Sequence, residues 1–134
     1  MRVSSYKDLI VWQRSIELVC AAYGVSRKLP PEERFALGDQ IRRAAVSIPA
    51  NVAEGHSRAG RREFLQFLAV AAASLTELET HFVVAERVGY VEPGDAADAW
   101  RLANEVGRML TAMRKRLSEH PVAPQRRYTL GAIR

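Results

Sequence analysis

Apolar residues recur at alternating three- and four-residue spacings through four long stretches of the chain, which predicts four amphipathic helices. The first, about 6–28, places Leu9, Trp12, Ile16, Val19 and Tyr23 on one stripe. Ser5 is a candidate N-cap, and Asp8 falls in the first turn, where the helix dipole favours negative charge. Leu29-Pro30-Pro31 ends this helix, because a residue before proline avoids the α region. The second, about 31–54, opens with Pro31, Glu32 and Glu33 and turns Leu37, Ile41, Ala44 and Ile48 inward. Pro49 removes a backbone hydrogen bond inside it and predicts a kink. Gly55 is expected to close it, and His56-Ser57-Arg58-Ala59-Gly60 reads as a loop.

The third stretch, about 61–88, is the most regular. Phe64, Leu68, Ala71, Leu75, Leu78, Phe82 and Ala85 alternate four- and three-residue steps, and Gly89 stops it. The fourth, about 93–119, has a seam of Ala96, Ala99, Ala103, Val106, Leu110, Met113 and Leu117. A repeat near 3.5 residues predicts left-handed packing at roughly 20° between axes. No strand-like alternation competes. The fold expected is therefore all-α, an antiparallel up-down four-helix bundle over residues 1–120. Pro121 and Pro124 end helical order, and 121–134 is expected to be a basic, flexible tail. Val11, Leu18, Leu65, Ala72, Leu102 and Met109 lie beside the main stripes. This extra apolar width either flanks the core or is buried against a second subunit.

A chain of 134 residues suits one core, and 48% hydrophobic with 26% charged residues is globular rather than disordered. There is no unbroken run of about eighteen apolar residues for a membrane span, and the N-terminus lacks a secretory h-region. No membrane partner is expected. The one cysteine, Cys20, rules out an internal disulfide framework and fits a reducing cytoplasm. Its apolar helical setting predicts a buried, inert thiol. The formal charge of +5 is unevenly spread: 13 basic and 14 acidic residues fill 1–107, but seven basic and one acidic fill 108–134. Arginine outnumbers lysine 17 to 3, and the guanidinium fork suits phosphate and carboxylate.

Polar residues interrupt the second helix where packing would prefer none. Ser47, Asn51 and Glu54 share a face, with Asn51 continuing the Leu37-Ile41-Ala44-Ile48 stripe; Ser74, Glu77 and His81 repeat the arrangement on the third. The structural interpretation is a buried polar network of Ser47, Asn51, Glu54, Ser74 and Glu77 that fixes register at some cost in stability. Spacing alone does not bring the two sets into contact. A di-metal carboxylate site would need Glu-x-x-His pairs. Glu54-Gly55-His56 and Glu77-Leu78-Glu79-Thr80-His81 have the wrong spacing. No Walker sequence, dinucleotide fingerprint, Cys-x-x-Cys or nucleophile context occurs either. No catalytic residue, metal or cofactor is expected, and the chain does not read as an enzyme.

The run from Gln40-Ile41-Arg42-Arg43 through Ser47, Asn51 and Glu54-Gly55 resembles the signature of four-helix-bundle proteins encoded in 23S rRNA intervening sequences. Tyr6-Lys7-Asp8-Leu9 with Trp12, and Ser74-Leu75-Thr76-Glu77-Leu78-Glu79, match further parts of that pattern, so the resemblance spans about 6–91. Ala73 departs from it, standing where the family commonly has glycine. The bundle is also similar to the accessory variability protein of diversity-generating retroelements. That likeness implies a homopentamer, an RNA or DNA partner, and a reverse transcriptase as a protein partner.

The function expected is a non-catalytic oligomeric scaffold that neutralises nucleic-acid phosphates with little base reading. Candidate contacts are Arg42, Arg43, Arg58, Arg61, Arg62, Arg114, Lys115, Arg116, Arg126 and Arg127. For each, the alternative is a solvated or salt-bridged surface residue, with Arg42 or Arg43 pairing Asp39 or Glu54. The competing function is a protein-interaction module for a polypeptide such as a polymerase, with affinity carried by an apolar groove.

Overall fold

The computed structural model describes residues 5–119. Four long helices carry it: α1 Ile10–Ser26, α2 Leu37–His56, α3 Arg61–Arg87 and α4 Ala97–Glu119. Short 3-10 turns at Tyr6–Asp8, Pro31–Glu33 and Pro93–Ala96 precede α1, α2 and α4. Each long helix packs on two neighbours, in the ring order α1, α2, α3, α4. Gly55 near the end of α2 lies against Phe64 and Phe67 at the start of α3, whereas Ser47 further back meets Ser74 further on. Trp100 likewise meets Phe82 while Gly107 faces Leu75. Thus α2 and α3, and α3 and α4, run in opposite senses. Arg14 closes the ring through a 3.0 Å bond to Glu105 of α4.

The ends of the first two helices differ from the sequence expectation. Ser5 does cap, accepting from the Lys7 N–H at 3.1 Å, but it caps the 3-10 turn, and α1 proper begins after an extended Leu9. Pro31 opens only one 3-10 turn, and α2 starts six residues later at Leu37. Glu33 is the cause: its Oε1 accepts from the Leu37 N–H at 3.2 Å, while its Oε2 accepts from the Tyr90 hydroxyl at 2.9 Å. One carboxylate therefore caps α2 and ties the α1–α2 connection to the α3–α4 turn. Gly55 does not terminate α2, which continues through Pro49 and Gly55 to His56. Gly89 ends α3 as expected, at φ 87°. The Gly89 N–H donates to Glu86 and the Tyr90 N–H to Ala85, at 3.1 and 2.9 Å, which satisfies the last carbonyls.

Burial follows the sequence pattern on three helices. Ile41, Ala44 and Ile48 of α2, Leu68 through Ala85 of the α3 seam, and Ala99, Ala103, Val106 and Leu110 of α4 form the core. Phe64, Met113 and Leu117 are half-buried against it.

On α1 the expected face is wrong. The core side is Val11, Ser15, Leu18, Ala22 and Val25, while Leu9, Trp12 and Val19 only flank it and Ile16 is exposed. Two apolar stripes compete on this helix, and a serine marks the true one. The buried Ser15 hydroxyl donates to the Trp12 carbonyl at 2.9 Å, so burial leaves it satisfied. Cys20 is correspondingly exposed, not buried. It lies about 200° round the helix from Leu18, two residues on. Of the extra apolar positions, Val11, Leu18 and Leu102 are core. Leu65, Ala72 and Met109 are half-buried.

Candidate nucleic-acid interface

The antiparallel order brings the end of α2, the start of α3 and the end of α4 to one end of the bundle. Gly60, Arg61, Arg62 and Leu65 meet Ser118 of α4 around a depression of about 530 Å³. Arg114, Lys115 and Arg116 lie within about one turn of Ser118 on the same helix. Arg62, Lys115 and Arg116 are exposed, and Arg61 and Arg114 half-buried. None of these five cations forms an ion pair with a described residue. Glu63 and Glu119 are the acids next to these five cations in the sequence, so positive charge is in excess among them. Arg58 reaches the same corner but is neutralised: its guanidinium is 2.7 Å from the Glu54 carboxylate and lies over the Phe67 ring. Arg126 and Arg127 lie outside the described residues.

Arg42 and Arg43 do not join this corner. They sit near the opposite end of α2, about 24 Å along the axis from Arg58 at 1.5 Å per residue. Arg43 is 2.8 Å from Asp39, and that hydrogen bond, reinforced by the carboxylate's charge, raises its pKa above the ordinary arginine value. Arg42 donates to the Arg34 carbonyl at 2.7 Å and stands 3.9 Å from Asp39. The ten expected contacts therefore divide: five open cations at one corner, three engaged arginines, and two outside the described residues.

Three of the five expected network residues come together. The Ser47 and Ser74 hydroxyl oxygens are 2.7 Å apart across the α2–α3 seam, and Asn51 Nδ2 donates to the Ser47 carbonyl and hydroxyl at 2.8 and 3.0 Å. Ser74 is buried, while Ser47 and Asn51 are half-buried. Glu54 and Glu77 are exposed and lie outside this cluster. Each turns to a partner four residues on along its own helix, Glu54 to Arg58 and Glu77 to His81 at 3.4 Å, where both charges stay in water. Ala73 is also exposed, so no described helix approaches closely there.

The outward sides of α2 and α3 carry the exposed apolar side chains Val46, Val70 and Val84, and Val88 follows at the C-cap of α3. By length and composition α3 is apolar enough to cross a membrane, yet only 33% of its most apolar stretch is buried in the chain. Between α3 and α4 runs a groove of about 660 Å³, lined by Leu75, Glu79, Ala103, Gly107, Arg108 and Arg114 among others. Burial holds the Glu79 carboxyl above the usual carboxylate range. Among the described residues, no three His, Cys, Asp or Glu side chains converge on a metal position.

The family model of the 23S rRNA-intervening sequence protein matches residues 7–112. A solved structure of a protein with unknown function from the S23 ribosomal protein family of Bacteroides thetaiotaomicron is 22% identical. It superposes with a TM-score of 0.73, covering 79% of this chain and 99% of its own, which shows the shared fold. No curated protein matches the sequence. The match over 7–112 takes in most of all four helices, and the chain belongs to the 23S rRNA-intervening sequence protein family.

Proposed function

We propose that this family member is a non-catalytic, oligomeric scaffold that binds the phosphate backbone of RNA or DNA with the corner formed by α3 and α4. The observation that carries the reading is the set Arg61, Arg62, Arg114, Lys115 and Arg116, gathered at one end of the bundle without ion-pair partners among the described residues. Four arginines elsewhere are matched by acids of the fold. Arg14, Arg43, Arg58 and Arg101 each face a carboxylate at 3.0 Å or less. Nucleic acid carries a condensed atmosphere of counterions, and cations that neutralise its phosphates release those ions to solution, which drives binding. Guanidinium forks grip phosphate oxygens bidentately without reading bases. The chain continues from Glu119 at this same corner into a segment that holds Arg126, Arg127 and Arg134.

Self-association fits the apolar outward face of α2 and α3, and it agrees with the pentameric proteins that the sequence resembles. Repeating the corner around an assembly multiplies a weak site into an avid one. That same face favours a second reading, a docking module for a polypeptide such as a polymerase. Fluorescence anisotropy of labelled RNA and single-stranded DNA at two salt concentrations, run beside light scattering, separates the two. Phosphate binding falls steeply with salt, whereas apolar docking does not.

A further inference from the structure

Phe35 is the most exposed large apolar side chain of the described protein, at 82%. It stands in the connection between α1 and α2, at the opposite end of the bundle from the basic corner. Beside it is a pocket of about 310 Å³ whose charged lining is entirely basic: Arg27, Arg34 and Arg42, set against Pro30 and Pro31. Arg34 links the two features, since its guanidinium lies 5.1 Å from the centroid of the Phe35 ring and also lines the pocket. Arg42 is held in place, with Nη2 donating to the Arg34 carbonyl at 2.7 Å. Among the nearby acids, Asp95 and Asp98 share a neighbouring pocket with Arg27, where Asp95 accepts from the Glu92 N–H and Asp98 binds Arg101. Asp39 binds Arg43 and lies 3.9 Å from Arg42, and Glu33 accepts from Leu37 and Tyr90. Glu32 is exposed and does not line the pocket.

An open aromatic face next to a basic pocket is the pair of features that single-stranded nucleic acid requires. The base stacks on the ring, and the adjoining phosphate is taken by the arginines. A duplex cannot use the ring, because its bases are already stacked on one another. We infer that Phe35, with Arg27, Arg34 and Arg42, forms a second nucleic-acid contact that takes one unstacked base and its phosphate and selects single strands over duplex. The inference rests on the nucleic-acid reading and adds strand selectivity to it. It also gives Arg42 a role separate from the corner.

The test is fluorescence anisotropy with a labelled 20-nucleotide single strand and a duplex of the same length, on wild type, Phe35→Ala, Phe35→Trp and the pair Arg61→Gln/Arg62→Gln. Light scattering and a thermal melt accompany each variant. Phe35→Ala weakens the single strand about 5- to 150-fold, the range for losing one base stack. It leaves duplex affinity, melting temperature and molecular mass unchanged, while Phe35→Trp keeps single-strand affinity. Two results would overturn the stacking contact: an equal effect of Phe35→Ala on both probes, or a change of mass that makes Phe35 an assembly residue. No effect of Phe35→Ala, with Arg61→Gln/Arg62→Gln still weakening binding, removes this site and leaves the corner standing. A wild-type protein that binds neither probe removes both.

Discussion

Ser47 and Ser74 lock α2 to α3 through hydroxyl oxygens 2.7 Å apart, and Asn51 fixes the pair by donating to the Ser47 hydroxyl at 3.0 Å. The two serines have one mutual hydrogen bond, so their contributions are coupled. Ser47→Ala and Ser74→Ala should each cost about 1 kcal/mol. The double variant should cost little more than either alone, because the second substitution removes a group whose partner has already gone. Urea unfolding of the four proteins measures this coupling, and strictly additive losses would contradict it.

Gly55 and Gly24 are both helical, yet alanine should act oppositely at the two. A Cβ at Gly55 would lie 2.7 Å from the Phe67 Cβ and 2.9 Å from the Phe64 ring, so α3 would have to move away. Gly55→Ala should destabilise by about 1–3 kcal/mol, as overpacking does. A Cβ at Gly24 meets nothing within 4 Å. Gly24→Ala should stabilise by about 0.5–1 kcal/mol through the better helix former. Thermal melts of the two variants check the contrast.

Glu79 gives a pH-dependent prediction. Burial raises its pKa in the folded chain, so its contribution to stability is complete below the unfolded value and is lost as pH rises through the folded one. Glu79→Gln should therefore give a small gain in melting temperature at pH 7. That gain should vanish below about pH 4, where a carboxyl is protonated in both states. A gain independent of pH would contradict the desolvation account.

Phe64 to Ala85 show how much the sequence reveals when one stripe dominates: α3 has a single run of four- and three-residue steps, and all of it but Phe64 is fully buried. On α1 two runs share the helix, Leu9-Trp12-Ile16-Val19 and Val11-Ser15-Leu18-Ala22, and the larger side chains favour the wrong one. A buried serine that bonds to its own helix carries no hydrophobic signal. Gly55 misled for a related reason: glycine marks both helix ends and close approaches, and only Phe67 across the seam distinguishes them.

The candidate site was legible as a charge imbalance rather than as a place. Arginine counts drew attention to Arg42, Arg43 and Arg58 as readily as to Arg61 and Arg62, but the engagement of the first three depends on folding. Asp39, four residues before Arg43, and Glu54, four before Arg58, were the local signals of pairing. The convergence of Arg61 with Ser118 is a long-range consequence of helix order. Phe35 escaped notice because its exposure belongs to the tertiary structure, although an aromatic beside Arg34 in a polar connection was visible.

The salt dependence of single-stranded RNA binding by the full chain tests the central claim most directly. If five corner cations each neutralise a phosphate, log K should fall against log salt with a slope of about −3.5. Arg61→Gln/Arg62→Gln should reduce the steepness by about 1.4, since each lost contact removes about 0.7. A slope near zero, or one that the double variant leaves unchanged, would contradict the account.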